Sequence, residues 1–416
     1  MKLSEILRER GYVYQHSSET LEEITDGAKR TLYWGVDPSA DSMHVGQLQG
    51  MMVLRRFVED GHNVIVIVGG GTGMIGDPGG KSAERNLLSD EAVAVNAVAL
   101  HDQFKQLLGG VDFRMVNNAE WLRKLNYMEF LRDIGKHFTV NEMIKRDTVR
   151  PRIEAPDQSI SYTEFSYMLL QAYDYLHLYQ QFGCDLQVGG SDQWGNILSG
   201  VDLIRRVAGG DAFALSWPLL VDKTTGRKFG KSEGGAVWLD AKKTSPFKFY
   251  QFWLNVDDVA VEELLLKMTL LPKVEIDEVL QKHTAAPAER HAQKELAYEV
   301  TSLVHGEGAA EDAQSVSQAL FAGTDIADIS DEARSLLAQE APNAPVSIGM
   351  LVVDALVNAG LATSKREARQ FVEDGAVNLS GESITDVSRA LLESDFKKGI
   401  ALLKRGKRNV SVLVLD

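Results

Sequence analysis

The sequence of 416 residues holds one cysteine, Cys184. A single thiol excludes an internal disulfide framework and any cysteine-cluster metal site, and it fits a reducing compartment. A small core filler, not a nucleophile, is the expected role of that residue. No apolar run approaches the ~20 residues that cross a bilayer. Residues 1–16 (MKLSEILRERGYVYQH) scatter charges where a signal peptide needs an apolar centre. A cytoplasmic protein without membrane association is expected. Internal repeats and low-complexity segments are absent, and so is net positive charge, because 44 Lys+Arg stand against 59 Asp+Glu for a balance of −15. Taken globally, that balance speaks against a nucleic-acid partner. What is present, 44% hydrophobic and 25% charged residues, is ordinary for a globular chain, and the length calls for more than one core.

Residues 1–30 read as amphipathic helix around Leu3, Ile6 and Leu7, then a second helical stretch around Leu21 and Ile24. Residues 31–36 (TLYWGV) form a short β run, a helical pattern covers 46–60, and residues 63–68 (NVIVIV) are continuously apolar, as in a strand buried on both faces of a parallel sheet. Strand, helix and strand make a βαβ unit. Helical patterns follow over 89–109, 120–145 and 162–182, with strand-like pieces at 113–116 and 185–190. After Pro272 the texture turns Ala- and Glu-rich, and the segment 343–345 reads as a linker. Residues 257–345 carry 18 acidic and 6 basic residues, so most of the acidity sits there and the tail beyond it is mildly basic. Global charge is therefore the wrong scale for judging partners.

Three glycine-bearing segments could meet phosphate. Residues 71–76 (GTGMIG) match GxGxxG after an apolar strand. However, Asp77-Pro78-Gly79-Gly80 breaks any following helix, and Asn96 stands where an acidic residue is needed, so a dinucleotide site is disfavoured. Residues 37–47 (DPSADSMHVGQ) put His44 and Gly46 at a helix start. Free N–H groups and the helix dipole there hold phosphate, Gly46 admits close approach, and His44 can donate to an oxygen whose charge grows in a transition state. Far along the chain, residues 224–235 (TTGRKFGKSEGG) form a glycine-rich basic loop whose Lys228 and Lys231 suit a mobile lid over a polyphosphate. Each segment alone also fits a bland reading, as a capped turn or a solvated loop.

Together HVGQ (44–47) and KFGKS (228–232) resemble the HIGH and KMSKS signatures of class I aminoacyl-tRNA synthetases, in the same order. Residues 33–42 (YWGVDPSADS), 76–78 (GDP), 163–174 (TEFSYMLLQAYD), 187–196 (QVGGSDQWGN) and 244–253 (TSPFKFYQFW) are similar to bacterial tyrosyl-tRNA synthetases. The likeness spans nearly the whole length and is weakest over 257–345. It implies an α/β fold class: a Rossmann-like parallel-sheet catalytic domain over 1–225 with a helical insertion and dimer interface near 115–160. A loop and acidic α-helical domain over 226–340 and a small α+β RNA-binding domain over 346–416 would follow.

The resemblance also implies roles. Tyr33 and Asp174 would meet the phenol hydroxyl of tyrosine, Asp77, Tyr167 and Gln171 its ammonium, with Gln187 in the same site and Gln193 near the reacting carboxyl. Tyr167, Gln171 and Asp174 fall at i, i+4 and i+7, so one helix face carries all three. ATP would meet Gly35, Asp37, His44, Gly46, Gln47, Gly190, Asp192 and Lys231, with Asp192 at the ribose. Ser39 and His44 would face the leaving pyrophosphate, with Lys81, Arg85, Lys228, Lys231 and Ser232 reaching in from loops. The implied chemistry is in-line attack of the tyrosine carboxylate on the α-phosphorus, then transfer to the terminal ribose of tRNA(Tyr). Positioning and charge stabilisation drive such a step without a covalent intermediate or general base. Mg²⁺ would arrive with ATP, since no carboxylate cage is evident, and no tightly bound cofactor is expected.

Three positions depart from the family pattern: Trp34 where a small residue is common, Gln47 for the second histidine of HIGH, and Gly50 where a larger residue is common. In the tail, residues 362–381 (ATSKREARQFVEDGAVNLSG) resemble the RNA-binding module of a small-subunit ribosomal protein. Lys365, Arg366 and Arg369 form one basic patch there, and Lys397, Lys398, Lys404, Arg405, Lys407 and Arg408 a second, either of which could grip an RNA backbone. A homodimer is implied as well. A tryptophanyl enzyme is disfavoured by the Tyr33 and Asp174 pair and by the tail. A non-catalytic RNA-binding paralogue would be expected to lose the KFGKS lysines, and another HIGH-type nucleotidylyltransferase has no reason to carry the tail.

Overall fold

The computed structural model describes residues 1–77, 89–146, 149–155, 159–221, 223, 226, 229–232, 235–321, 325–406 and 409–416. The chain divides into two compact units, one built from 1–243 with 257–292 and the other from 244–256 with 293–416.

The first unit is organised on a sheet of β1 (Gln15–His16), β2 (Thr31–Val36), β3 (Asn63–Val68), β4 (Arg114–Asn117), β5 (Cys184–Gly190) and β6 (Phe213–Trp217). Their order is β1-β6-β5-β2-β3-β4, parallel throughout except for the edge pair β1 and β6. β3 is buried from Val64 to Val68, as its unbroken apolar run requires. The chain leaves β2 outward through β3 and β4, then returns to the other side of β2 for β5 and β6. Strand order therefore reverses between β2 and β5, and the carboxyl ends of those two strands leave a crevice.

Helices Val45–Glu59, Asp90–Leu107 and Tyr162–Phe182 fall where periodicity puts them. The last starts at a reciprocal cap: Ser161 Oγ accepts from Glu164 N–H at 3.2 Å, and the Glu164 carboxylate accepts from Ser161 N–H at 3.2 Å. It stops at Gly183, whose φ of 61° suits glycine. Cys184 is fully buried among Tyr175, Leu178 and Leu203, and burial pushes its thiol pKa up, so it is the inert core residue expected.

The two helical stretches expected within 1–30 are Leu3–Glu9 and Leu21–Thr25, with β1 between them. One helical expectation fails. The 120–145 stretch breaks into Ala119–Leu122, Tyr127–Asp133 and Val140–Met143. One break is set by Asn126, whose side chain accepts from Met128 N–H at 3.0 Å and Glu129 N–H at 3.3 Å and so starts a new helix. A short hairpin of β7 (Lys231–Ser232) and β8 (Gly235–Ala236) also belongs to this unit.

The second unit holds a sheet of β9 (Asn343–Val346), β10 (Val377–Leu379), β11 (Glu382–Ile384), β12 (Ile400–Arg405) and β13 (Asn409–Leu415), ordered β11-β10-β12-β13-β9. The linker reading of 343–345 is overturned, because those residues are the edge strand, parallel to β13. Ala344 and Val346 turn inward while Pro345, lacking an N–H, sits where an edge strand tolerates it. One face of the sheet packs Leu403 and Leu413 with Val352, Leu356, Ala368 and Val372. The other packs Ile400, Leu402 and Val412 with Val316, Leu320 and Leu337.

Candidate functional site

A cavity of about 310 Å³ opens in the first unit at the carboxyl ends of β2 and β5, where the strand order reverses. Its lining includes Tyr33, Gly35, Asp37, Ser39, His44, Gln47, Asp77, Tyr167, Gln171, Asp174, Gln187 and Gln193, twelve of the residues singled out from sequence. Gly190 and Asp192 adjoin it at the end of β5, where a Cβ on Gly190 would lie 2.7 Å from Asp192 Oδ1. The backbone of Lys231 and Ser232 is in β7. Lys81, Arg85 and Lys228 lie outside the described residues. The GxGxxG match makes only a single turn, Thr72–Met74, and opens no long helix.

At the closed end of the cavity lies Asp174, 3% exposed. Trp121 Nε1–H donates to its Oδ1 at 2.7 Å and Asn118 Nδ2–H to its Oδ2 at 2.9 Å. Burial dominates and pushes its pKa up to about 7, and the two donors act against that by favouring the carboxylate. Asn118 is a hub. It also donates to Thr72 Oγ1 at 2.8 Å, and its own Oδ1 accepts from Gly71 N–H at 2.7 Å. Sequence reasoning missed Asn118, Trp121 and Thr72. The available signal was position, since Asn118 follows β4 at the carboxyl edge of a parallel sheet.

Beside Asp174, three buried oxygens have no hydrogen-bond partner among the described residues: Tyr33 Oη, Gln171 Oε1 and Gln187 Oε1. Unmet buried polar atoms are costly, so a polar ligand is the natural partner for all three. Burial and the nearby Asp174 carboxylate raise the Tyr33 phenol pKa, and burial with Asp37 and Asp77 raises that of Tyr167. A site ringed by Asp37, Asp77 and Asp174 suits a ligand with one cationic group and one hydroxyl. Gln193 is oriented in it by donating from Nε2 to Asp77 Oδ2 at 2.7 Å.

At the open end, His44 is the N-cap of helix Val45–Glu59. Its Nδ1 accepts from Gly46 N–H at 3.1 Å, which places the ring proton on Nε2 when the ring is neutral. Gln47 Oε1 accepts from His44 N–H at 3.1 Å, so its amide N–H groups stay available as donors. Gly46 is required by packing as well as by access, because a Cβ there would lie 3.0 Å from Phe229 O.

The departures at 34 and 50 are one feature. A Cβ on Gly50 would lie 2.8 Å from the indoles of both Trp34 and Trp217, which meet edge to face with centroids 5.6 Å apart. Trp34 fills the volume that a side chain at 50 would occupy.

In the second unit, Lys365, Arg366 and Arg369 are exposed on helix Lys365–Glu373, with Lys365 paired to Asp354 at 2.7 Å. Lys404 is half-buried, donates to Ala319 O at 3.0 Å and has its pKa lowered by burial. Arg405 donates to Leu361 O at 2.8 Å and lies 4.9 Å over the Phe371 ring. Both cations are committed within their own unit. Lys407 and Arg408 lie outside the described residues.

Two outcomes follow for stability. The folded chain keeps the Asp174 proton to about pH 7, whereas an unfolded aspartate releases it near 3.8. Between those values the unfolded state binds fewer protons, so stability falls as pH rises and levels off above 7. Asp174→Asn should remove that slope, while its amide, with one acceptor oxygen where Asp174 has two, leaves one of the two N–H donors unmet. Thermal unfolding of both proteins at pH 5 and pH 8 checks this, and parallel pH dependence would contradict it. Gly50→Ala should cost about 1–3 kcal/mol with Trp34 present and clearly less in a Trp34→Ala background. Denaturation midpoints of the four proteins decide it, additive losses being the contrary result.

The family model described as tRNA synthetases class I (W and Y) matches residues 25–322, and one described as a tyrosine--tRNA ligase SYY-like C-terminal domain matches 332–413. The tyrosine--tRNA ligase of Roseiflexus castenholzii is 47% identical over 98% of both chains, and that of Staphylococcus carnosus 46% identical over 96% of both. Among solved structures, a C-terminally truncated mitochondrial tyrosyl-tRNA synthetase of Aspergillus nidulans is 33% identical with a TM-score of 0.68, covering 77% of this chain and 94% of its own. With two domain families, near full-length relatives and a solved structure of similar fold in agreement, the chain belongs to the tyrosine–tRNA ligases of the class I tRNA synthetases.

Proposed function

We propose that the cavity at the carboxyl ends of β2 and β5 joins L-tyrosine to ATP, and that the chain then passes tyrosine to the terminal ribose of tRNA(Tyr). One observation carries the reading: three unmet buried oxygens, Tyr33 Oη, Gln171 Oε1 and Gln187 Oε1, surround the held carboxylate of Asp174 in one cavity. The substrate phenol donates to Asp174, whose two oxygens each already accept one bond and keep room for another. Tyr33 Oη completes the hydroxyl site. Asp77, Tyr167 and Gln171 take the ammonium, and Gln187 Oε1 adds an acceptor. A substrate without the hydroxyl leaves Asp174 and Tyr33 buried and unmet, the arrangement that rejects phenylalanine.

ATP lies toward His44, Gly46 and Gln47, with Gly35, Asp37, Gly190 and Asp192 at its nucleoside end. A carboxylate oxygen of tyrosine forms the new bond to the α-phosphorus while the bond to pyrophosphate breaks, and the charge leaves on pyrophosphate. His44 Nε2–H, Ser39 and the cations Lys81, Arg85, Lys228 and Lys231, with Ser232, meet that charge. Mg²⁺ enters with the phosphates of ATP, in keeping with its preference for few protein ligands. In the second step the terminal ribose hydroxyl attacks the tyrosyl carbonyl, the bond from that carbonyl to the phosphate oxygen of AMP breaks, and the hydroxyl proton leaves on AMP.

Lys365, Arg366 and Arg369 face the tRNA backbone. Exposed Tyr127, Met128, Val140 and Tyr162 support a homodimer interface near 115–160. Among the described residues no helix is long and apolar enough to cross a membrane.

Pyrophosphate exchange into ATP tests the first step. Tyrosine alone among the amino acids should support it, and exchange with phenylalanine but not tyrosine would overturn the assignment of Asp174. The double variant Arg366→Ala with Arg369→Ala should leave exchange unchanged, weaken tRNA binding and lower its salt slope by about 2. An unchanged salt slope would remove those residues from the tRNA interface.

A further inference from the structure

The segment after KFGKS lies back on the helix start that carries His44. Val45 N–H donates to Val237 O at 2.9 Å and Leu239 N–H to Met43 O at 2.9 Å, with an antiparallel bridge between His44 and Trp238 in the middle. The two rings meet edge to face, centroids 6.1 Å apart and planes at 73°. Trp238 is braced in turn, since the Lys243 ammonium lies 5.3 Å from its ring centroid and pairs with Asp41 at 2.6 Å. Asp240 N–H donates to Ser42 Oγ at 3.2 Å, tying the same strand to the same loop. Just upstream, a Cβ on Gly230 would lie 2.9 Å from Gly46 N, so the two signature segments touch at glycines. The Gly46 N–H contact settles which nitrogen of His44 carries the proton, and the indole edge limits the plane in which the ring can turn.

We propose that Trp238 is a positioning residue for the adenylate-forming step, its indole holding the His44 imidazole in the orientation that aims Nε2–H at the leaving phosphates. The proposal rests on the role given above to His44. Hydrogen-bond donors at developing charge act through fixed geometry, so a ring free to swing loses rate before it loses binding. The tyrosine end of the cavity is built on other elements, and Trp238 is not among the residues that line the cavity.

The experiment is a double-mutant cycle in the full-length chain, read by pyrophosphate exchange. Trp238→Leu should lower kcat about tenfold with the KM for tyrosine unchanged, and Trp238→Phe, which keeps a ring edge, should stay within about threefold of the parent. In a His44→Ala background, Trp238→Leu should change kcat no further. If His44→Ala itself leaves kcat unchanged, the assignment of His44 falls. If His44→Ala is slow and Trp238→Leu multiplies that loss, the assignment stands and the coupling falls. A raised tyrosine KM, or equal loss in the Phe variant, marks Trp238 as merely structural and also overturns the proposal. Trp238→Met, closer in volume, carries the same cycle should the Leu variant not fold.

Discussion

A carboxylate removed from water must be held, and the architecture of the tyrosine end answers to that requirement. Asp174 comes from the middle of a long helix, Asn118 and Trp121 from the chain just past β4, and the turn that Asn118 pins from the end of β3. Two successive connections of the sheet, β3 to β4 and β4 to β5, thus converge on one acid. With its pKa raised to about 7 by burial, Asp174 sits between a neutral and a charged form, and a donating ligand decides between them. On the proposed assignment the substrate phenol completes the partners of Asp174, and stability is spent on holding that group ready.

The phosphate end works by another rule. There the backbone does most of the fixing: a helix start, a histidine that caps it, and a returning strand that seals the cap from the far side. Glycines at 46 and 230 let two distant loops approach more closely than side chains would allow. On the proposed assignment, the amino-acid end is fixed by side chains locked by side chains, and the nucleotide end by segments locked by backbone. That division lets the charged loops be rebuilt without disturbing the amino-acid pocket.

The catalytic sheet and the 162–182 helix were legible because their signals are local. An unbroken apolar run marks a central strand, and Ser161, Glu164 and Gly183 bracket a helix whose face repeats every three to four residues. The roles at the site came through resemblance, with helical spacing explaining why Tyr167, Gln171 and Asp174 share a face. What stayed hidden was non-local. Asn118 and Trp121 meet Asp174 across more than fifty residues of chain, and nothing in their neighbours announces it. Lys404 and Arg405 look like any basic cluster until the carbonyls of Ala319 and Leu361 are seen to hold them. Pro345 reads as a breaker, yet edge strands accept proline, and whether a strand lies at an edge is a property of the finished sheet.

The interlock of Trp34 with Gly50 also constrains how such a site can change over time. Converting it to a small residue at 34 and a larger one at 50 requires two steps, and their order matters. Enlarging 50 first drives a side chain into two indoles, whereas shrinking 34 first removes one of them and leaves a void into which Trp217 can yield when 50 grows. One route passes through a loosened intermediate and the other through a clash, so descent between the two arrangements runs preferentially through the loosened form.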